Sequence, residues 1–274
     1  MRARLLAGIA AGALGLAALT ALPAAAASTA QLSVFHAVPG TTVDVYVNNK
    51  LTLDNFTPGS MAGPLDLAAG TYAIAVTASD AADASAPIIG PANVTLEAGK
   101  NYTAVAHLDA SGKPALTAFV NDTSTTAAGQ GRLTVRHVAA APAVDVVVGG
   151  SAVVSGLTNP NEKVLNLPAG TISASVTAAG TTTPALLGPA DIAVKEGTNT
   201  IVYAWGSATS APPTLALATQ TIDGLQANPS GVNAGELGLA ADPSTPVWPY
   251  ALGALALLGV VGLALARNRR TRAV

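Results

Sequence analysis

Two histidines and two aspartates are the best candidates for chemistry in this chain. His36 closes the segment Leu32-Ser33-Val34-Phe35-His36, and His137 closes Leu133-Thr134-Val135-Arg136-His137. Each is followed eight residues later by an aspartate, Asp44 or Asp145. If the flanking segments are adjacent antiparallel strands, each His–Asp pair comes within hydrogen-bond reach. A carboxylate that orients an imidazole is part of a hydrolytic triad or the beginning of a metal site. The rest of either site is missing. No G-x-S-x-G elbow supplies a nucleophile. A zinc site needs three or four convergent ligands, and one His with one Asp falls short. The pairs His36/Asp44 and His137/Asp145 are therefore read as structural, satisfying their own polar atoms and pinning a hairpin register. No catalytic, cofactor-binding or metal-binding residue is expected.

Other polar groups give weaker signals. His107 stands where the second half of the chain has Trp205, which points to packing or a variable surface rather than shared chemistry. Asp80, Asp83 and Asp109 lack the alternating spacing of a calcium loop. Arg132 and Arg136 flank one strand and do not make a basic patch. Aromatic residues are only 4 % of the chain, too few for a stacking platform, and Phe35, Tyr46, Tyr72 and Tyr102 are read as core. No phosphate-binding glycine motif is present.

The elements that carry these residues are strands, and they occur twice. Val43-Asp44-Val45-Tyr46-Val47 returns as Val144-Asp145-Val146-Val147-Val148, and Leu65 to Thr71 returns as Leu165 to Thr171. Gly90-Pro91-Ala92 returns as Gly188-Pro189-Ala190. The offset falls from 101 to 98 residues along the copies, so small deletions alone separate them. Period-two alternation and regular turn residues predict strands at 31–38, 42–48, 51–56, 63–67, 71–78, 92–96, 101–108 and 115–121. The second copy predicts 132–139, 143–149, 151–157, 163–167, 171–178, 190–195, 199–206 and 214–221. Short strands at this spacing favour a β-sandwich in each copy over a parallel α/β fold. The expected layout is a first domain over 31–121, a linker over 122–131, a second domain over 132–223 and a flexible, Gly/Pro/Ala-rich stalk over 224–246.

The ends suggest export and anchoring. Arg2 and Arg4, an apolar run to Leu22 and Ala25-Ala26-Ala27 form a secretory signal peptide over 1–27. Val247 to Ala266 is 20 residues without a charge, long enough to span a bilayer as a helix. Trp248 and Tyr250 fit its outer interface, and Arg267, Arg269, Arg270 and Arg272 fit a cytoplasmic tail over 267–274. Between these ends, residues 28–246 carry seven basic and all 15 acidic side chains, a net charge of −8. That balance argues against nucleic acid as a partner. With no cysteine, each domain must hold together by its core alone.

The elements His36-Ala37-Val38-Pro39 to Asn48 and Leu65 to Tyr72, with Glu97 to Thr103 and their second-copy counterparts, resemble the DUF4397 family. The second copy departs at Val147 and Thr200, where that pattern has tyrosine. The resemblance implies exported Ig-like β-sandwiches and no established catalytic residue. The expected fold is thus all-β, with two tandem Ig-like antiparallel β-sandwich domains, a signal peptide and one C-terminal transmembrane helix. The expected function is non-enzymatic: a membrane-anchored, cell-surface structural or adhesion-type module. It touches the bilayer through 247–266 and binds an unknown envelope or extracellular partner. The alternative is an envelope domain that binds a metal or small ligand through the His–Asp pairs, hydrolytic at its furthest reach.

Overall fold

The computed structural model describes residues 29–227, so the expected signal peptide, most of the stalk, the membrane span and the tail lie outside the described residues. The first copy folds into β1 (Thr29–Ala37), β2 (Val43–Val47), β3 (Lys50–Phe56), β4 (Met61–Ala68), β5 (Gly70–Ala78), β6 (Ile89–Leu96), β7 (Asn101–Leu108) and β8 (Pro114–Asn121). The second gives β9 (Gln130–Ala140), β10 (Val144–Val148), β11 (Ser151–Leu157), β12 (Glu162–Pro168), β13 (Gly170–Ala178), β14 (Ala185–Val194), β15 (Asn199–Ser207) and β16 (Ala216–Ile222). All sixteen predicted strands are present, and the described residues contain no helix. The largest difference is β14, which begins five residues before the predicted start at 190 and runs straight through Gly188-Pro189. There a register shift opposite Ala174 to Val176 absorbs the Gly-Pro step as a bulge.

Each copy is a two-sheet sandwich. The first pairs β4-β1-β7-β8 with β3-β2-β5-β6, and the second pairs β12-β9-β15-β16 with β11-β10-β13-β14. The inner faces meet over Leu32, Val34, Val45, Ile74, Leu96 and Ala104 in one copy. In the other they meet over Leu133, Val135, Val146, Val176, Val194 and Val202. The expectation of purely antiparallel sheets needs correction. β1 runs parallel to β7, and β9 parallel to β15. The chain leaves β1, builds the opposite sheet and β4, and returns beside β1 in the same direction. Only so long a crossover makes a parallel neighbour possible.

The two sandwiches also pack on each other. Phe35, Ala37, Val105 and Phe119 of the first close a third apolar cluster with Val138, Ile201 and Tyr203 of the second. Phe35 lies 4.8 Å from the ring of Tyr203 and meets Trp205 edge-on at 6.0 Å. The result is a stack of four sheets. The two middle sheets are covered on both faces, which is why every residue of β9 after Gln130 is buried. Both copies fall within one compact unit ending at Ala227.

The segment joining the copies is strapped down. Arg132 donates through Nη1 to Ser124 O at 2.9 Å and pairs with the Asp122 carboxylate at 3.2 Å. Thr126 N–H donates to Leu225 O at 2.7 Å, and Leu225 is itself buried. Residues 224–227, expected to begin the stalk, are thus ordered against the segment between the sandwiches.

Candidate functional site

The structure separates the residues that the sequence put together. β1 and β2 belong to different sheets, as do β9 and β10. They are therefore not the adjacent antiparallel strands on which the His–Asp pairing relied. His36 Nε2 instead donates to Thr41 O at 2.7 Å, and Val38 N–H points at Nδ1 from 3.5 Å. His137 repeats this with Pro142 O at 3.0 Å and Ala139 N–H at 3.4 Å. A carbonyl only accepts, so Nε2 carries a proton, and Nδ1, which faces a backbone N–H, is the acceptor of a neutral ring. Each histidine staples the loop that carries the chain from one sheet to the other.

The aspartates serve a different backbone feature. In both copies the third strand is bulged against the second: Val43 pairs with Phe56 but Val45 with Leu53, and Val144 with Leu157 but Val146 with Val154. The extra residue adopts a left-handed conformation, at Asn55 (φ 52°) and Gly156 (φ 64°). Its N–H has no ladder partner, and the aspartate supplies one. Asp44 Oδ1 accepts from Asn55 N at 2.8 Å, and Asp145 Oδ1 from Gly156 N at 2.7 Å. Asp145 Oδ2 also accepts from Gly180 N at 2.8 Å. Replacing the buried Asp145 with alanine removes the charged acceptor shared by the Gly156 and Gly180 N–H groups and is expected to cost about 1–3 kcal/mol. Asparagine, which keeps one acceptor, should cost less; urea melts of the two variants measure the difference.

The three histidines share an electrostatic setting. Burial is the main cause that pulls each below its ordinary pKa, and a backbone acceptor partly offsets it: Thr41 for His36, Leu108 for His107, Pro142 for His137. Asp109 raises His107 slightly and His137 lowers it, across the contact between the copies. The unfolded chain therefore binds more protons than the folded chain below about pH 6.5. Stability is fully present above that pH and falls as the solution is acidified toward the depressed folded values. Melting temperatures should be level near neutrality and decline as the pH falls below about 6.5. Glutamine at all three positions should flatten that decline, and a wild-type curve already level there refutes the assignment.

The densest polar site was missed by sequence reasoning. It centres on Arg136, which is wholly buried (0 % exposed) between the sandwiches. Its Nε donates to Glu162 at 2.7 Å, Nη1 to the Tyr203 hydroxyl at 2.9 Å and Nη2 to Asn121 Oδ1 of the first copy at 2.8 Å. The guanidinium lies 4.3 Å over the Phe119 ring, also of the first copy. The Tyr203 hydroxyl donates to Gln220 Oε1 at 2.6 Å, and Thr103 of the first copy donates to the same oxygen at 3.0 Å. Burial raises the Tyr203 phenol above its usual range, against the opposing pull of Arg136, so it stays a neutral donor. Nearby, Asn159 Nδ2 bridges Leu108 O of the first copy and Ala139 O of the second at 2.8 and 2.6 Å.

The groups around Arg136 satisfy one another, whereas the buried Asn159 Oδ1 has no partner. Arg136 spends its donors on a carboxylate, a phenol and an amide of its own chain, an arrangement that fixes orientation and leaves no proton acceptor poised for a substrate. Among the described residues, no three His, Asp or Glu side chains converge as a metal site requires. The signal that marked Arg136 was the repeat itself, because its counterpart in the first copy is Phe35.

A family model described as "Domain of unknown function (DUF4397)" matches residues 30–147 and again 138–232. The chain belongs to the DUF4397 family. Two matched regions mean two tandem copies, in agreement with the paired sandwiches. No curated protein matches the chain. In this DUF4397 pair, the histidine and the VDV aspartate that recur in both copies hold loops and bulges. The residues that differ between copies build the contact.

Proposed function

We propose that the chain is a non-enzymatic cell-surface module that presents two locked β-sandwiches to an envelope or extracellular partner. In this reading residues 1–27 direct export, 247–266 span the membrane, and the basic tail over 267–274 stays in the cytoplasm. The observation that carries it is the Arg136 lock. Two family copies that could have been joined by a loose tether are instead fused by a buried polar network and an aromatic cluster. A rigid pair holds its exposed loops in fixed relation, which suits a structural or binding element. The histidines and aspartates that an enzyme would have used are already engaged with backbone groups.

The absence of cysteine makes the topology easy to test. Ser111→Cys lies in the exposed β7–β8 loop, and Ala273→Cys lies in the tail. A membrane-impermeant maleimide should label Ser111→Cys in intact bacteria and Ala273→Cys only after permeabilisation. Labelling of Ala273→Cys in intact cells, or of neither site before lysis, overturns the anchored reading. The metal-site alternative requires a free imidazole nitrogen. It would be revived by a metal-dependent rise in melting temperature that His36→Ala with His137→Ala removes.

A further inference from the structure

The first sandwich has an opening that the second handles differently. β3 and β4 are edge strands of opposite sheets, so no ladder closes the seam between them. β4 is bulged against β1: Leu32 pairs with Leu65, but Val34 pairs with Ala62. Gly63 lies in this bulge at φ 103°, where a Cβ would stand 2.7 Å from Leu32 O. The matching ladder in the second sandwich, β12 on β9, runs from Glu162–Arg136 to Pro168–Gln130 without a shift. The repeat offset agrees, falling from 101 at Val43/Val144 to 100 at Leu65/Leu165, so the first copy holds one extra residue here. Bulges bend edge strands and gather beside binding sites.

Behind the bulged strand is a cavity of about 150 Å³. Val34, Val45, Leu53, Leu65, Leu67 and Ile74 line it, and Lys50 stands among its lining residues on the exposed start of β3. Between its sheets the second sandwich has a cavity of only about 30 Å³, against Val176, Ile192 and Val202, and its matching β11–β12 seam carries instead an open, largely polar groove of about 520 Å³ along Val153 to Lys163. Ser151 takes the place of Lys50. We infer that the first sandwich binds a small amphipathic anion, with a compact apolar group of about six carbons between the sheets and its negative head at Lys50. The size follows from apolar cavities of about 150 Å³, which take a benzene-sized guest. A largely apolar pocket with a few polar groups, here Lys50 and Thr52, is the usual form of a small-ligand site. This site needs neither the membrane anchor nor the Arg136 lock, and so stands apart from the function proposed above.

Hexanoate, 1-hexanol and hexylammonium test it on the full chain, by calorimetric titration and thermal melts. Hexanoate should bind tightest and raise the melting temperature with concentration. Lys50→Glu, a change at an exposed residue, should weaken hexanoate by about two- to five-fold, as loss of an exposed ion pair does. It should leave hexanol unchanged. Leu53→Trp should fill the cavity and abolish binding of both; if that variant fails to fold, deletion of Gly63 restores the second copy's register and should abolish it instead. Equal binding of all three probes, no binding of any, or hexanoate binding that survives the filled cavity overturns the inference.

Discussion

Replacing Arg136 with alanine should destabilise the protein by about 3–5 kcal/mol, the cost of removing one partner from a buried charged network. The change leaves Asn121 Oδ1, the Tyr203 hydroxyl and the Glu162 carboxylate without their shared donor, and removes the cation above Phe119. For a folded unit of this size the loss corresponds to roughly 6–20 °C in melting temperature. Lysine keeps the charge but not the planar fork that reaches three acceptors in different directions, so Arg136→Lys should fall between wild type and alanine. The alanine variant should also loosen the contact itself. Trp205, held against Phe35 and within 3.2 Å of where a Cβ on Gly59 would lie, then meets water, and its emission should move to the red. A loss below about 1 kcal/mol with unshifted emission would sink this account of the lock. The network need not add net stability over a well-packed apolar contact of the same shape. Its directed bonds instead admit one orientation of the two sandwiches.

The strands were legible because their alternation and turns are local, and because each was written twice. The contact between the sandwiches was not legible by the same method. In a lone sandwich, a strand such as Leu32-Ser33-Val34-Phe35 reads as one core face and one solvent face. Here the second face meets another domain. Thr103, Arg136 and Gln220 look like surface residues in sequence, and the structure turns them inward against each other. Comparing the copies position by position exposes the contact. Core-facing residues keep their character, as in Leu32/Leu133, Val34/Val135 and Ala106/Ala204. Residues facing the other sandwich diverge: Phe35/Arg136, Thr103/Ile201, Val105/Tyr203 and His107/Trp205. Two related faces that pack on each other gain from being unlike, since an arginine needs an aromatic ring or an acceptor opposite it and not a second arginine. At His107/Trp205, where the change of residue type suggests packing or a variable surface, the structure places His107 buried and Trp205 against Phe35. The His–Asp pairing failed for a topological reason. Residues eight apart across a short loop suggest a hairpin, but this loop crosses from one sheet to the other, which local spacing does not reveal.

Gly90→Ala and Gly188→Ala should each destabilise by roughly 3 kcal/mol or more, combining backbone strain with overpacking. Both glycines sit at the same place in their copies, at φ 87° and 88°, where an L side chain is strained. Neither has room. A Cβ on Gly90 would stand 2.5 Å from Ile74 O and 2.7 Å from Ala92 N, and one on Gly188 would stand 2.7 Å from Ala174 O. The neighbours are backbone atoms of the ladder itself, so relief requires moving β5 or β13 and not merely turning a side chain. These strands carry Ile74, Val76 and Val176 into the two cores, and a shift there disturbs the packing of each sandwich. The Gly-Pro-Ala motif thus recurs for a mechanical reason, the tight passage of a bulge beside its neighbour. Gly112, also at positive φ but with open space around its Cβ position, provides the control. Its alanine variant feels the backbone strain alone, about 1–3 kcal/mol at most. If denaturant melts show Gly112→Ala costing as much as Gly90→Ala, then the left-handed backbone and not the close approach accounts for the motif. A larger loss at Gly90 and Gly188 places the cause in the ladder, where the two copies share the same crowding despite differing on the faces they turn toward each other.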